Sequence, residues 1–243
     1  MHKPSKRINK FFTEHGFCSR RMADQLIEAG RVRINGRTAA LGDRVTEHDV
    51  VELDGRAMEH QPRTVYLAYH KPVGITSTTE LHVKDNIIHA VKHPDRIFPI
   101  GRLDKDSSGL ILLTNHGDIV NRILRVEFGH EREYRVTLDR PYAPDFVDRM
   151  SRGVTILGRK TKPCHVHAVD ARTFRIILTE GLNRQIRRMC FALKYRVVKL
   201  VRTRIMHIQL KDLPAGKWRR LTPREEKQLI AAVGLDDKEA ARP

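Results

Sequence analysis

Apolar residues fall in short runs whose spacing changes along the chain from helical to alternating. Ile8, Phe11 and Phe12 recur at i, i+3 and i+4 with Gly16 behind them, the spacing of a helix and its C-terminal stop. Ser19 offers an N-cap to a second helix, whose apolar positions Met22, Ala23, Leu26 and Ile27 keep the helical period up to Gly30. The period then drops to two: Val32 and Ile34 alternate with Arg31 and Arg33, Asn35-Gly36 is a hairpin turn, and Val50, Val51 and Leu53 run into Asp54-Gly55. Two helices and a short basic β unit thus make a module of residues 1–60, and the polar stretch around Pro62 reads as a linker at 61–66.

The remainder, residues 67–233, mixes the two periods. Strand patterns begin at 65–69 and recur at 110–113, 134–138, 174–178 and 205–210, with helical patterns at 118–124, 145–150 and 183–193. Helices do not alternate regularly with strands, so the pattern predicts an α+β fold, a mixed and mainly antiparallel sheet flanked by helices. There is no internal repeat, and the small, charged residues 234–243 are expected to be a disordered tail.

Charge changes the picture. Among 243 residues, 46 Lys and Arg face 29 Asp and Glu, a net charge of +17. The surplus is concentrated: residues 1–37 carry nine basic and three acidic side chains, and residues 181–220 carry twelve and one. Arg20 and Arg21 sit in the first turn of a helix, where the macrodipole disfavours cations, which points to an external anion such as a phosphate backbone. No apolar stretch approaches the roughly 20 residues of a membrane span. The basic start of the chain meets Thr13, Glu14 and His15 instead of an apolar signal core, so a cytoplasmic protein is expected. Cys18, Cys164 and Cys190 form no C-x-x-C pair, and His165 with His167 on one side of a strand is an incomplete ligand set, so neither disulfide, metal nor other cofactor is expected.

The segments 8–11, 18–23 and 30–36 resemble the S4-type RNA-binding domain, over about a quarter of the chain. Residues 98–118 are punctuated as a loop between strands, with Gly101 and Gly109 permitting unusual backbone angles around Arg102-Leu103-Asp104. This segment resembles the active-site motif of the pseudouridine synthases, in the branch typified by the ribosomal small-subunit synthase A. Residues 70–75, 131–136 and 181–189 resemble, in family order, the first motif, the tyrosine strand and the basic helix of that branch. Segments 104–110, 181–190 and 202–206 are most similar to members acting on the large subunit.

The resemblance implies an isomerase that breaks the C1′–N1 bond of a uridine in RNA, turns the base and joins C5 to C1′, without cofactor. It gives Asp104 the role of the ionised carboxylate, either adding to the nucleoside or assisting glycosidic cleavage. A carboxylate in a base-sized pocket needs a cation beside it to stay ionised. On the basic helix, Ile186, Met189, Cys190 and Leu193 form the buried stripe and Arg187 lies at its edge, which makes Arg187 the expected partner of Asp104. The family motif has its basic residue at the same position. Tyr134 shares a strand face with Val136 and Leu138 and reads alone as a half-buried core tyrosine; the resemblance makes it the residue that stacks on the target base. A target uridine must be flipped from its stack, and Arg102 is expected to fill the gap. Arg20, Arg21, Arg31, Arg33, Lys71, Arg184, Arg188, Arg202 and Arg204 are expected to contact RNA, Lys71 from a turn that the resemblance makes a support of the site. Phe191 is assigned to the core, and Trp218 is left open between core and stacking platform. The expected substrate is 23S rRNA, with a tRNA anticodon loop as a further target, and the expected state is a monomer. Two rivals remain at this point: the same chemistry on 16S rRNA, and a non-catalytic S4-containing RNA-binding or ribosome-assembly protein.

Overall fold

A computed structural model describes residues 5–58 and 63–235. The N-terminal part packs α1 (Ile8–Glu14) and α2 (Arg20–Glu28) against β1 (Val32–Ile34) and β2 (Val51–Leu53), the two strands antiparallel. Ser19 caps α2 by accepting from the amide of Met22. The core contains Ile8, Phe11, Phe12, Ala23, Ile27, Val32 and Ile34 as the periodicity predicts, but Met22 is exposed because only Ala23 and Ile27 of the second helix are buried on the α1 side.

The larger part is built on one sheet. Its main strands are β3 (Tyr66–Lys71), β4 (Ser108–Thr114), β5 (Arg132–Leu138), β6 (His165–Ala168), β7 (Thr173–Leu178), β8 (Val197–Ile205) and β9 (Trp218–Arg220). They lie in the order β6-β7-β5-β8-β4-β3-β9, and every neighbour pair is antiparallel except β8 with β4. That parallel pair is short, with Val201 opposite Ser108 and Arg202 opposite Gly109.

Helices cover both faces. The helices are α3 (Ile87–Val91), α4 (Asp118–Leu124), α5 (Phe146–Ser151), α6 (Gln185–Ala192) and α7 (Pro223–Ala232). Leu110 and Leu112 pack towards α4 and α7, while Ile111 and Leu113 pack towards α3, so the unbroken apolar run of β4 is a strand buried on both faces. Val136, Phe174 and Ile176 meet α5 and the Ile186–Met189–Cys190 stripe of α6 in a separate core.

Several boundaries differ from the sequence reading. The strand expected at 205–210 is a turn: β8 runs to Ile205, Met206 takes φ 53°, and Ile208–Gln209 pairs back on β8. Val65 and Tyr66, at the end of the expected linker, are buried in the sheet core, whereas residues 61 and 62 lie outside the described residues. Gly234 and Leu235 close onto the core instead of starting a tail, Leu235 buried and the Gly234 carbonyl accepting from Arg122; the rest of the tail lies outside the described residues. Helix α7 went unread although Thr222-Pro223-Arg224-Glu225 carries its start: Thr222 and Glu225 form a capping box, with Pro223 in the first turn.

Candidate active site

The loop from Ile100 to Ser107 enters from the short strand Phe98–Ile100 and leaves into β4. Gly101 turns it at φ 77°. Buried Leu103 anchors it, because the Ser77 hydroxyl donates to the Leu103 carbonyl at 2.9 Å and accepts from the Leu103 amide at 3.2 Å. The Ser107 amide then donates to the Asp104 carbonyl at 3.1 Å, closing a tight turn that leaves the Asp104 side chain 36% exposed. Asp104 lies in a cleft of about 460 Å³ whose walls include Arg102, Tyr134, Arg132, Arg184, Arg187 and Arg202.

The basic helix arrives through a second lock. Gln185, buried at the start of α6, donates to the Glu180 carboxylate and accepts from the Leu182 amide, both near 2.9 Å or less. Arg184 caps the helix in the left-handed conformation and projects to the loop: its guanidinium grips Asp106 at 2.8 and 3.1 Å and lies 3.6 Å from the Asp104 carboxylate. Arg187 stands where the helical period puts it, but it does not pair with Asp104. Its Nη2 donates to the Asp106 carbonyl and to the Ser107 hydroxyl, its Nε lies 3.3 Å from the Asp106 carboxylate, and its Nη1 donates to the Val197 carbonyl. The tight turn at Asp104 brings Asp106 to Arg187 first, so the expected Asp104–Arg187 pair becomes a ladder in which Arg184 is the nearer guanidinium. The bonds from Arg184, reinforced by the Arg187 charge, hold the Asp106 carboxyl below the usual carboxylate range.

Three residues assigned to RNA contact are taken up inside the fold, and a fourth, Arg31, stays exposed but paired. Lys71 is 0% exposed, its ammonium donating to the carbonyls of Pro72 and Ile75 at 2.9 and 2.8 Å, so it fastens the Pro72–Ile75 turn. Arg202 is 3% exposed and donates from Nε to the Leu110 carbonyl at 2.7 Å. Arg204 is taken up by Glu131 and Glu133 at 2.9 and 3.1 Å and by the Met206 carbonyl. Arg31 forms a two-pronged pair with Asp54 on the S4 surface. Arg20, Arg21, Arg33 and Arg188 are exposed, the last bonded to Asn183, and Arg102 is exposed on the cleft wall. Lys10 of α1 reaches Asp118 of α4 at 2.7 Å, an ion pair between the S4 part and the sheet part. Phe191 is 74% exposed, because it lies opposite the buried stripe of α6; Trp218 is 37% exposed, its indole N–H donating to the Val91 carbonyl.

Tyr134 is half-buried between two core clusters and lines the cleft, as strand alternation predicts. Asp106 and Arg132 are the charged groups that sequence reading passes over; Arg132, two residues before Tyr134, shares its strand face by the same alternation. Among the described residues no group of three or more His, Cys, Asp or Glu side chains is arranged to hold a metal, and no helix is long and apolar enough to cross a membrane.

The Lys71 ammonium has a measurable signature. Burial pushes its pKa from 10.5 down to about 8, against the pull of the Asp106 and Asp104 carboxylates. Between these values the unfolded chain holds a proton that the folded protein has released, so this residue's contribution to stability rises with pH across that window. Chemical denaturation should show the wild type gaining stability relative to Lys71→Met from pH 8 to 10.5; a flat difference would mean that Lys71 keeps its proton in the fold.

Comparison with known proteins agrees with this geometry. Residues 65–192 match the model of the RNA pseudouridylate synthase family, and residues 6–51 match the S4 domain. The chain is 52% identical over 238 residues to the dual-specificity RNA pseudouridine synthase RluF of Salmonella typhi, covering 97% of this chain and 82% of the relative. It is 53% identical over 223 residues to RluF of Escherichia coli K12, covering 91% and 77%. Ribosomal large subunit pseudouridine synthase B of Bacillus subtilis is 32% identical over 235 residues, covering 93% and 96%. A crystal structure of a pseudouridylate synthase superposes with a TM-score of 0.67 at 28% identity, covering 92% of this chain and 99% of that one. The chain therefore belongs to the RNA pseudouridylate synthase family, as an S4-bearing isomerase that acts on RNA.

Proposed function

We propose that the substrate is one uridine of 23S rRNA, with a tRNA anticodon-loop uridine as a second target, and that Asp104 is the carboxylate that acts on it. The observation that carries the site is Asp104 itself: a partly exposed carboxylate in a base-sized cleft, 3.6 Å from the Arg184 guanidinium and backed by the Arg187–Asp106 ladder. The substrate reading is supported by the relatives, one named for the large ribosomal subunit and others for dual specificity. In this reading the RNA lies across the exposed Arg20, Arg21, Arg33 and Arg188, and the target uridine is flipped into the cleft. Its base stacks on Tyr134, Arg102 occupies the space it leaves, and Arg187 keeps the Asp104 loop in place through Asp106 and Ser107. The protein works as a cytoplasmic monomer.

Isomerisation leaves mass unchanged but releases the hydrogen at C5. Transcripts of 23S rRNA, 16S rRNA and tRNA carrying 5-tritiated uridine separate the readings. Release from 23S rRNA, alone or with tRNA, is the expected result. Release from 16S rRNA alone would overturn the substrate assignment, and salt-sensitive binding without release from any RNA or assembly intermediate would support the binding-protein reading.

A further inference from the structure

Among the described residues, three arginines of the cleft have no carboxylate: Arg102, which is exposed, and Arg132 and Arg202, which are not. Arg202 lies in the middle of the sheet, directly opposite Tyr134 in the β5–β8 register and opposite Gly109 in the β8–β4 register. Its guanidinium bonds only to backbone: Nε to the Leu110 carbonyl and, at 3.5 Å, Nη1 to the Arg102 carbonyl, while Nη2 is buried with no partner. Arg132 shares a strand face with Tyr134 and donates to the carbonyls of Ile123 and His130. Both line the cleft, and neither forms a salt bridge among the described residues. Burial lowers the Arg132 pKa against the pull of Tyr134, and the nearby Arg202 charge lowers it further. Arg204 has Glu131 and Glu133, Arg187 has Asp106, and Arg219 has Glu225; half-buried Arg96 and Arg122 form no salt bridge among the described residues either, but neither lines the cleft, whereas Arg132 and Arg202 share it. Burying like charges together without a counter-ion is costly, so an anion supplied from outside is the expected complement.

The reaction supplies one. When C1′–N1 breaks, its electron pair stays with the base, which becomes a uracil anion with charge spread over N1, O2 and O4, while the sugar carbon becomes electron-poor towards Asp104. The base turns, C5 uses the returned pair to bond C1′, the C5 proton leaves to solvent, and N1 takes up a proton, so atoms and charge balance. A route that begins with addition of the carboxylate to the base also places negative charge on the base oxygens. A base stacked on Tyr134 lies between Arg132, two residues along the same strand, and Arg202, across the register. We propose that Arg132 and Arg202 form a fixed positive pole that stabilises the detached uracil anion while it turns. Being oriented before the reaction, with Arg202 buried and Arg132 half-buried, the pole acts where charge develops and at no cost of reorganisation.

This inference rests on the pseudouridine synthase reading, and its test separates the two. Tritium release at saturating RNA gives kcat, and titration of RNA gives KM, for Arg132→Met, Arg132→Lys, Arg202→Met and Arg202→Lys, with thermal unfolding of each variant as a check. Loss of charge should lower kcat about a hundredfold with KM within threefold of wild type, and the lysine variants should recover most of that loss. Equal losses in the methionine and lysine variants, a change confined to KM, or an unchanged kcat would overturn the proposal while wild-type turnover leaves the enzyme reading intact. If Arg202→Met fails to fold, the Arg132 pair alone decides. A wild type inactive on every RNA would overturn the underlying reading.

Discussion

Asp104→Asn should bind substrate RNA as tightly as the wild type and release tritium from C5 at least about a thousandfold more slowly, the scale of losing a positioned acid–base or nucleophilic group. The substitution keeps shape and removes charge. It should leave the fold intact, because among the described residues the carboxylate makes a single ion pair, at 3.6 Å, with a partly exposed Arg184 that keeps its two bonds to Asp106. A filter-binding curve superimposable on the wild type, with no turnover, is the expected pair of results. Retention of a tenth of the activity would remove Asp104 from the chemistry, and a parallel loss of affinity would make it a binding group. Asp106→Asn is a useful contrast. It loosens both Arg184 and Arg187, so it should disturb the loop and its stability as well as the rate.

The second large effect lies in the fold. Gly109→Ala should cost at least about 3 kcal/mol of stability, a size that signals a packing conflict and not a surface change. Gly109 holds φ +111°, and a Cβ there would sit 2.3 Å from the Arg202 carbonyl oxygen and 2.5 Å from its nitrogen. These atoms are backbone at the centre of the sheet and cannot move without parting β4 from β8. Gly36→Ala is the control: its φ is +80° with nothing near the added methyl, so only backbone strain of about 1–2 kcal/mol remains. Urea denaturation midpoints of the two variants give the comparison. Equal shifts would mean that the contact with Arg202 relaxes cheaply.

What the sequence disclosed depended on whether a residue's fate is set locally. The Ile186–Met189–Cys190 stripe, with Leu193 partly buried at its end, the strand at 110–113 and the cap at Ser19 each follow from period or neighbouring residue types, and all three stand in the structure. The same helical period also places Phe191 opposite the stripe, so its exposure was legible and was missed. Strand β8 was hidden because a buried Arg202 occupies an inward position and breaks the apolar alternation that marks a strand. Which carboxylate Arg187 takes was beyond sequence reading, since it depends on how the Asp104–Ser107 turn presents two aspartates to one helix. Arg202 and Arg204 were counted with the basic stretch 181–220, and Lys71 was given an RNA contact besides its supporting turn, whereas the places of all three are set by carbonyls and carboxylates that the fold brings together.

The short parallel pairing of β8 with β4 divides the sheet into two antiparallel halves. Apart from the edge pairing of β3 with β9, the pairings within each half join segments nearer in sequence than the seam between them, which must close a longer loop. The cleft takes Asp104 and Arg102 from one half and Tyr134, Arg184 and Arg187 from the other, so neither half contains a precursor of the site. Turnover is therefore an all-or-none reporter of the completed seam: a chain arrested with both halves formed but not joined would still hold RNA on its basic surfaces and would be catalytically silent.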